Sequence, residues 1–459
     1  MIFRLKYKIS FKALVEVLFT VYSARIIGAI IVLLSFSTFS YAQLTFHSID
    51  ELFAYADDNA IILKSATANE QLFLSKVKEK KSDLLPDINA SLGYNDNITL
   101  QPNLIPAQIF NPTAPEGEFT EVVFGTKYQY YRSLQAQWDV LNFQRIFAVE
   151  VSNIELSKAK TNTEINRFNL YNQLASTYYS ILLTQESIKV YEENVAISDT
   201  ILINALTQIQ KGTISESAYN QALINSKQTT SQLKMSQNSL QQYYVQLQSQ
   251  LHTQDTIKID DNFEQFDLLS STNLKAHPQL LLQKANLLSS EAQLKQTKAL
   301  RFPTLSLIYQ NSKTWSTDDF PGFSNANELP QQIFGATLSM NLFDFSAERK
   351  IEQSKINIQL QKLELERFEL EIQKEDELLQ LQLTQGLTQL SDNEQILLLQ
   401  KKNDQHSENL YQSGLISLDS RLNNYKELLN AQNNYLSSLA SLTLSKYKKH
   451  IRQIDFNSK

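Results

Sequence analysis

The stretch "SGLIS" (413–417) and its near-copy "KGTIS" (211–215) interrupt two otherwise unbroken helical patterns, one in each half of the chain. Glycine suits a tight reversal that needs φ > 0, so each stretch reads as a turn between two helices. Outward from these turns, neither Gly nor Pro occurs from Gln144 to Gln210, and after Pro330 the chain has no proline and only Gly335, Gly386 and Gly414. A helix over 144–210 extends roughly 100 Å at ~1.5 Å per residue, a length common in coiled coils and rare in compact globules.

Periodicity agrees with that reading. After "SGLIS", apolar residues fall at Leu415, Leu418, Leu422, Tyr425, Leu429, Leu436 and Leu439, in steps of three and four. After "KGTIS", the same register gives Tyr219, Ala222, Ser226, Thr229, Leu233, Ser236, Leu240, Tyr243 and Leu247. This is a heptad seam whose small residues let helices approach closely.

Four segments follow a period of two instead. "DINASLGYN" (87–95) places Ile88, Ala90, Leu92 and Tyr94 on one face, and "KYQYYRSLQAQWDV" (127–140) places Tyr128, Tyr130, Leu134, Ala136, Trp138 and Val140. "TLSLIYQ" (304–310) contributes Leu305, Leu307 and Tyr309, and "FGATLSMNL" (334–342) contributes Phe334, Ala336, Leu338, Met340 and Leu342. The opposite faces carry small, mostly uncharged polar side chains. A soluble half-buried sheet alternates in the same way. Aromatic residues near the strand ends and a small polar opposite face suit lipid outside and water inside. Arg132 falls on the apolar face and is the exception.

The two halves align. "NAIILKSATANEQLFLSKVKEKKSDLLPDINASLGY" (59–94) resembles "HPQLLLQKANLLSSEAQLKQTKALRFPTLSLIYQ" (277–310), and "WDVLNFQR" (138–145) resembles "MNLFDFSA" (340–347). The expected organisation is two repeats. The first spans 43–270, with a helix, strands over 86–98 and 127–141 and a helical hairpin over 144–250. The second spans 271–459, with a helix, strands over 303–312 and 333–344 and a hairpin over 345–450. A unit this long is a duplicated half-domain rather than a solenoid repeat. Four strands cannot close a barrel alone, and open edges in hydrocarbon leave backbone groups unpaired at several kcal/mol each, so strands that span a membrane require oligomerisation.

The N-terminus reads as an export signal. Arg4, Lys6, Lys8, Lys12 and Arg25 precede the apolar run "IIGAIIVLLSFSTF" (26–39), and "SYA" (40–42) follows, which predicts cleavage after Ala42; an uncleaved membrane anchor is the alternative. Without 1–42 the formal balance is 37 basic against 47 acidic residues, a net of −10, which argues against nucleic acid as a partner. The chain has no cysteine, which excludes disulfides, thiolate metal sites and lipid attachment at cysteine.

The order of helix, "LLPDINASLGY", "WDVLNF", long helix and "KGTIS", repeated as "RFPTLSLIY", "MNLFDF" and "SGLIS", resembles the TolC family of outer-membrane efflux and secretion channels. The resemblance covers nearly all of the chain beyond residue 42, twice. It implies a mixed α and β fold, mostly long helices, assembled as a homotrimer. A twelve-stranded barrel in the outer membrane would continue into a periplasmic α-helical barrel. The implied partners are outer-membrane lipid, a periplasmic adaptor and an inner-membrane pump, and the implied function is a passive exit duct for small molecules. Two alternatives stay open: the outer component of type I protein secretion, and a periplasmic coiled-coil scaffold without a pore.

In that family the glycine turns are the periplasmic tips. The resemblance therefore implies adaptor contact at Gly212, Thr213, Ile214, Gly414, Leu415 and Ile416. Many relatives carry acidic rings six and nine positions past the tip glycine; here those positions hold Ser420 and Asn423, or Ala218 and Gln221, with Asp419 and Glu216 nearby in other helical registers. A constriction at the entrance would involve Asp419, Ser420, Asn423 and Glu216.

Catalytic signatures are absent. The five histidines are scattered without metal-ligand spacing, and no phosphate loop, Gly-x-Ser-x-Gly or His-Glu-x-x-His occurs, so neither enzyme chemistry nor a cofactor or metal is expected. The loops 99–126 and 316–332, rich in Pro, Asn and Phe, are expected to face the exterior, and "KVKEKK" (76–81) reads as a solvated helix face or a contact to anionic headgroups.

Overall fold

The computed structural model describes residues 44–261, 274–321 and 326–456; the expected signal over 1–42 lies outside them. A short strand β1 (Leu44–Phe46) leads into α1 (Ile49–Asn59) and α2 (Ile61–Ser82). β2 (Asp87–Asp96) begins directly after Pro86, and β3 (Pro102–Pro106) pairs with β4 (Phe119–Val123) as a separate ribbon. β5 (Tyr128–Leu141) runs into α3 (Phe143–Gln210), which turns into α4 (Glu216–Leu251). After β6 (Ile257–Ile259) come α5 (Pro278–Lys298), β7 (Thr304–Thr317), β8 (Asn327–Ser339), α6 (Phe345–Gln412) and α7 (Leu418–Ile451).

α3 and α6 are each 68 residues long, roughly 100 Å at ~1.5 Å per residue. Each starts on a side-chain cap immediately after the sheet. Asn142 Oδ1 accepts from the Arg145 N–H at 3.2 Å, and Asp344 Oδ1 accepts from the Ala347 N–H at 3.0 Å. These caps satisfy an orphan donor of the first turn and fix where strand becomes helix.

The four long strands form one antiparallel sheet in the order β2-β5-β7-β8. β8 corrects the sequence expectation. The strand predicted over 333–344 occupies Asn327–Ser339, and its partner, predicted over 303–312, continues to Thr317. The ladder explains both shifts: Ser339 pairs with Thr304 and Asn327 with Ser316, and Pro303 has no N–H with which to extend the pairing. Met340 therefore lies past the end of the strand. Polar side chains at Asn311, Ser312 and Lys313 do not stop β7, because backbone hydrogen bonds set the extent of a ladder.

At mid-height, β1 and β6 pair in parallel beneath α1, and Phe46, Leu52, Leu174, Tyr178, Leu247 and Ile451 form a buried core with them. Phe53 stacks on Tyr171 with centroids 4.0 Å apart. The heptad seam of α4 turns inward as expected, with Ala222, Ser226, Thr229 and Leu247 all buried. Among the described residues, no helix is long and apolar enough to cross a membrane.

Candidate functional site

The two Gly-x-Ile-Ser turns have the same construction, residue for residue. At the end of α3, the Gly212 N–H donates to Ile209 O at 2.9 Å and the Thr213 N–H to Gln208 O at 3.0 Å. At the end of α6, the Gly414 N–H donates to Tyr411 O at 3.0 Å and the Leu415 N–H to Leu410 O at 2.9 Å. Both are Schellman caps, which require a left-handed residue; Gly212 has φ 72° and Gly414 φ 70°. The serine then opens the next helix. Ser215 Oγ accepts from the Ala218 N–H, and Ser417 Oγ accepts from the Ser420 N–H, each at 3.2 Å. Glycine ends one helix, serine starts the other, and the isoleucine between them is half-buried.

The structure brings the two turns together. Ile214, Ala218 and Tyr219 of the first hairpin and Ile416, Leu418 and Leu422 of the second pack into one apolar cluster around Ile201, Ala205 and Tyr425. Gly212, Thr213, Gly414 and Leu415 remain exposed, Leu415 at 71%. Glu216 and Asp419 stand in the first turns of α4 and α7, where the positive end of the helix dipole favours a carboxylate. Ser420 and Asn423 are exposed beside Asp419.

A polar network that sequence reasoning missed lies just behind these tips. Arg421 is only 2% exposed, yet its Nε donates to Glu408 Oε2 at 2.7 Å and its Nη1 to Asp404 Oδ1 at 2.5 Å. A buried guanidinium held by two carboxylates joins α6 to α7. Its neighbour Tyr425 donates to Asn194 O at 2.8 Å on α3, and burial, with the Asp404 carboxylate adding to it, raises the Tyr425 phenol well above its ordinary range. Tyr411 donates to Gln208 Oε1 at 3.1 Å, Tyr191 to Asn433 Oδ1 at 2.9 Å, and Asn194 Nδ2 to Gln432 Oε1 at 3.0 Å. These bonds tie one hairpin to the other.

At the opposite end, register decides which side chains share a face, since cross-strand partners point the same way. Ile88 opposes Ala136, Leu92 opposes Arg132, and Tyr94 opposes Tyr130. Trp138 opposes Leu307, Ala136 opposes Tyr309, and Leu134 opposes Asn311. Leu305 opposes Leu338, and Tyr309 opposes Phe334. Ile88, Leu92, Tyr94, Tyr128, Leu134, Trp138, Leu305, Leu307, Tyr309, Phe334 and Leu338 therefore line one side of a single sheet, while Met340 lies beyond it. A bulge between Asp139 and Leu141 adds Leu141 to that side, opposite Leu305.

The other side is mainly polar, with Tyr131, Ile308, Leu329 and Ile333 as exceptions, and Ser306 Oγ donates to Asp139 Oδ1 at 2.7 Å there. A Cβ on Gly93 would meet the Tyr131 ring at 2.2 Å, so glycine leaves room for that ring to lie across β2. Tyr128 and Trp138 are ten residues apart on one face, ~33 Å along the strand and roughly 25 Å in height at a tilt of ~40°.

Among the described residues, no group of His, Asp or Glu side chains is placed to hold a metal ion. A sheet with one mainly apolar and one mainly polar side, continued by helical hairpins of such length, is the architecture expected of an outer-membrane channel subunit.

The comparisons with known proteins carry the class further. Residues 55–251 match the family model of outer membrane efflux proteins. No curated protein matches the chain in sequence. Among solved structures, CusC superposes with a TM-score of 0.72 at 17% identity, over 91% of this chain and 95% of that one. The CmeC outer membrane channel of Campylobacter jejuni gives 0.73 at 15% identity, over 90% and 87%. The outer membrane protein VceC of Vibrio cholerae gives 0.72 at 14% identity, over 89% and 97%. Residues 55–251 thus match the outer membrane efflux protein family, and the fold over about nine-tenths of the chain is that of TolC-like outer-membrane channels.

Proposed function

We propose that three copies of this chain form a passive exit duct, through which an inner-membrane pump and a periplasmic adaptor move small molecules out of the cell. The observation that carries the reading is the open sheet. β2 and β8 each have a single strand neighbour, and in lipid their outer edges would leave N–H and C=O groups unpaired at several kcal/mol each. Three copies supply twelve strands, enough for a water-filled interior, whereas eight would be filled by side chains. The side carrying Ile88, Leu92, Trp138, Leu307 and Phe334 faces lipid.

A second support comes from α6, where Ile356, Leu360, Leu363, Leu370, Leu378 and Leu381 are all exposed on a periplasmic helix. In a trimer a neighbouring subunit covers them. The hairpin α3–α4 and the hairpin α6–α7 are the two products of an internal duplication, with the boundary between repeats near residue 270. Their tips at Gly212, Thr213, Ile214, Gly414, Leu415 and Ile416 dock the adaptor. Asp419, with Ser420, Asn423 and Glu216, lines the entrance there.

Planar-bilayer recording on purified protein tests the duct. Stepwise conductance from a trimeric species is expected; a monomer without conductance, released from membranes by carbonate, would leave the scaffold reading instead.

A further inference from the structure

Arg132 and Lys313 are register partners across β5 and β7, and both fall on the apolar side of the sheet. Like charges directly opposite each other repel. A cation on the lipid side of a barrel is costly at the bilayer midplane and nearly free at the interface. The two residues differ in how that charge is met. Lys313 Nζ lies 2.6 Å from Glu328 Oε2 and stands over the Trp315 ring at 5.1 Å, while Trp315 Nε1 donates to Glu328 Oε1 at 3.0 Å. Arg132 is exposed and has no ion-pair partner among the described residues. Of the charges in this patch, Glu328 balances one cation and leaves the other.

The surroundings say what the spare cation meets. Beside Arg132 on the same side stands its register partner Leu92, 85% exposed, and inward lie Leu134 and Leu307. Outward lie Tyr130 and Trp315, which oppose each other, and beyond them the Tyr94, Tyr128 and Phe320 rings cluster with centroids 5.3 to 6.4 Å apart. The pair thus marks the boundary between an aliphatic belt and an aromatic girdle, which is headgroup level. A guanidinium fork matches two phosphate oxygens, and a neighbouring ammonium adds a point charge.

We infer that Arg132 and Lys313 form a binding site for the phosphate of an outer-leaflet lipid headgroup, on the outer wall of the barrel. The exposed Leu92 beside it and Leu134 beneath it suit the acyl chains of the same molecule, which a free anion would leave uncovered. The site lies on the side of the sheet opposite Ser133, Gln135 and Ser312, so its ligand is a wall lipid and not cargo in the duct. The inference rests on the membrane reading proposed above.

The test uses full-length protein purified from outer membranes in a non-ionic detergent and titrated with diphosphoryl lipid A, with retained lipid read by native mass spectrometry. Arg132→Gln is expected to weaken retention about tenfold, the loss of one charge-assisted contact. Arg132→Lys should recover part of it, and inorganic phosphate should not displace the lipid. Equal retention by wild type and Arg132→Gln would overturn the site. Displacement by inorganic phosphate would overturn the lipid assignment in favour of a free-anion site. Resistance to carbonate extraction is read in parallel. Arg132→Gln protein that stays in the membrane yet loses lipid supports the site, whereas wild-type protein extracted by carbonate removes the membrane reading itself.

Discussion

Tyr411 of the second hairpin donates its hydroxyl to Gln208 Oε1 of the first at 3.1 Å, within the last helical turn before each tip glycine. The two hairpins are therefore bonded at their ends as well as packed there. Tyr411→Phe removes that hydrogen bond and leaves the ring, at a cost of about 0.5–1.5 kcal/mol. Amide exchange in the last turns of α3 and α6 is expected to rise several-fold. Unchanged exchange would show that the apolar cluster alone holds the tips together.

Gly414 has open space around its missing Cβ, so a substitution there meets backbone strain and no collision. Asn, which tolerates the left-handed region, should be accepted, while Val should destabilise the turn by ~1–2 kcal/mol or more. In pull-down with the proposed periplasmic adaptor, Gly414→Val protein is expected to bind weakly while migrating as the same oligomer as wild type. Wild-type capture by the Val variant would place docking away from this turn.

Arg421 is the charged residue whose removal should matter most. Arg421→Met leaves Asp404 and Glu408 without their cation, and breaking a buried pair costs about 3–5 kcal/mol, less here because both carboxylates retain some solvent. Local opening of residues 404–425 is the expected result, read by hydrogen exchange. The double change Asp404→Asn with Glu408→Gln in the Met background should restore part of the protection. No change in exchange would mean the network is incidental.

His277 introduces a pH dependence at mid-height. It is 3% exposed, its Nδ1 accepts from the Gln279 N–H at 3.2 Å to cap α5, and burial, aided by the Arg452 charge, lowers its pKa to about 4. The folded state thus binds this proton less readily than the unfolded chain, whose histidine titrates near ~6.5. Stability from this group is intact above that value and falls as pH drops from ~6.5 towards ~4. His277→Asn keeps a capping oxygen and removes the proton, so its thermal-unfolding midpoint should vary less between pH 7 and pH 5 than that of wild type. Parallel profiles would contradict the assignment.

Local chemistry was legible in the sequence, and long-range pairing was not. Gly212 and Gly414 end helices through bonds to carbonyls within one turn, so their role can be read from a few residues. The alternation of Ile88, Ala90, Leu92 and Tyr94 likewise reports its own face. The parallel pairing of Leu44 with Ile257 spans almost half the chain and involves three residues per strand, too few to leave a periodic signal. β3 is bracketed by Pro102 and Pro106, so its ribbon with β4 resembled a loop. Arg421 forms no local motif, because its carboxylates lie across the hairpin. A signal was available in Asp404 and Glu408, one helical turn apart and about as far before Gly414 as Arg421 is after it.

The central claim is that β8 of one copy meets β2 of the next. A chain without cysteine permits a direct measurement. Asn89→Cys near the start of β2 and Thr337→Cys near the end of β8 lie on the polar side at the same end of the sheet. In outer membranes treated with a short bis-maleimide, the double variant should give a covalent trimer and each single variant should not. A double variant that remains monomeric on denaturing gels, or that links only within one chain, would contradict the closed cylinder.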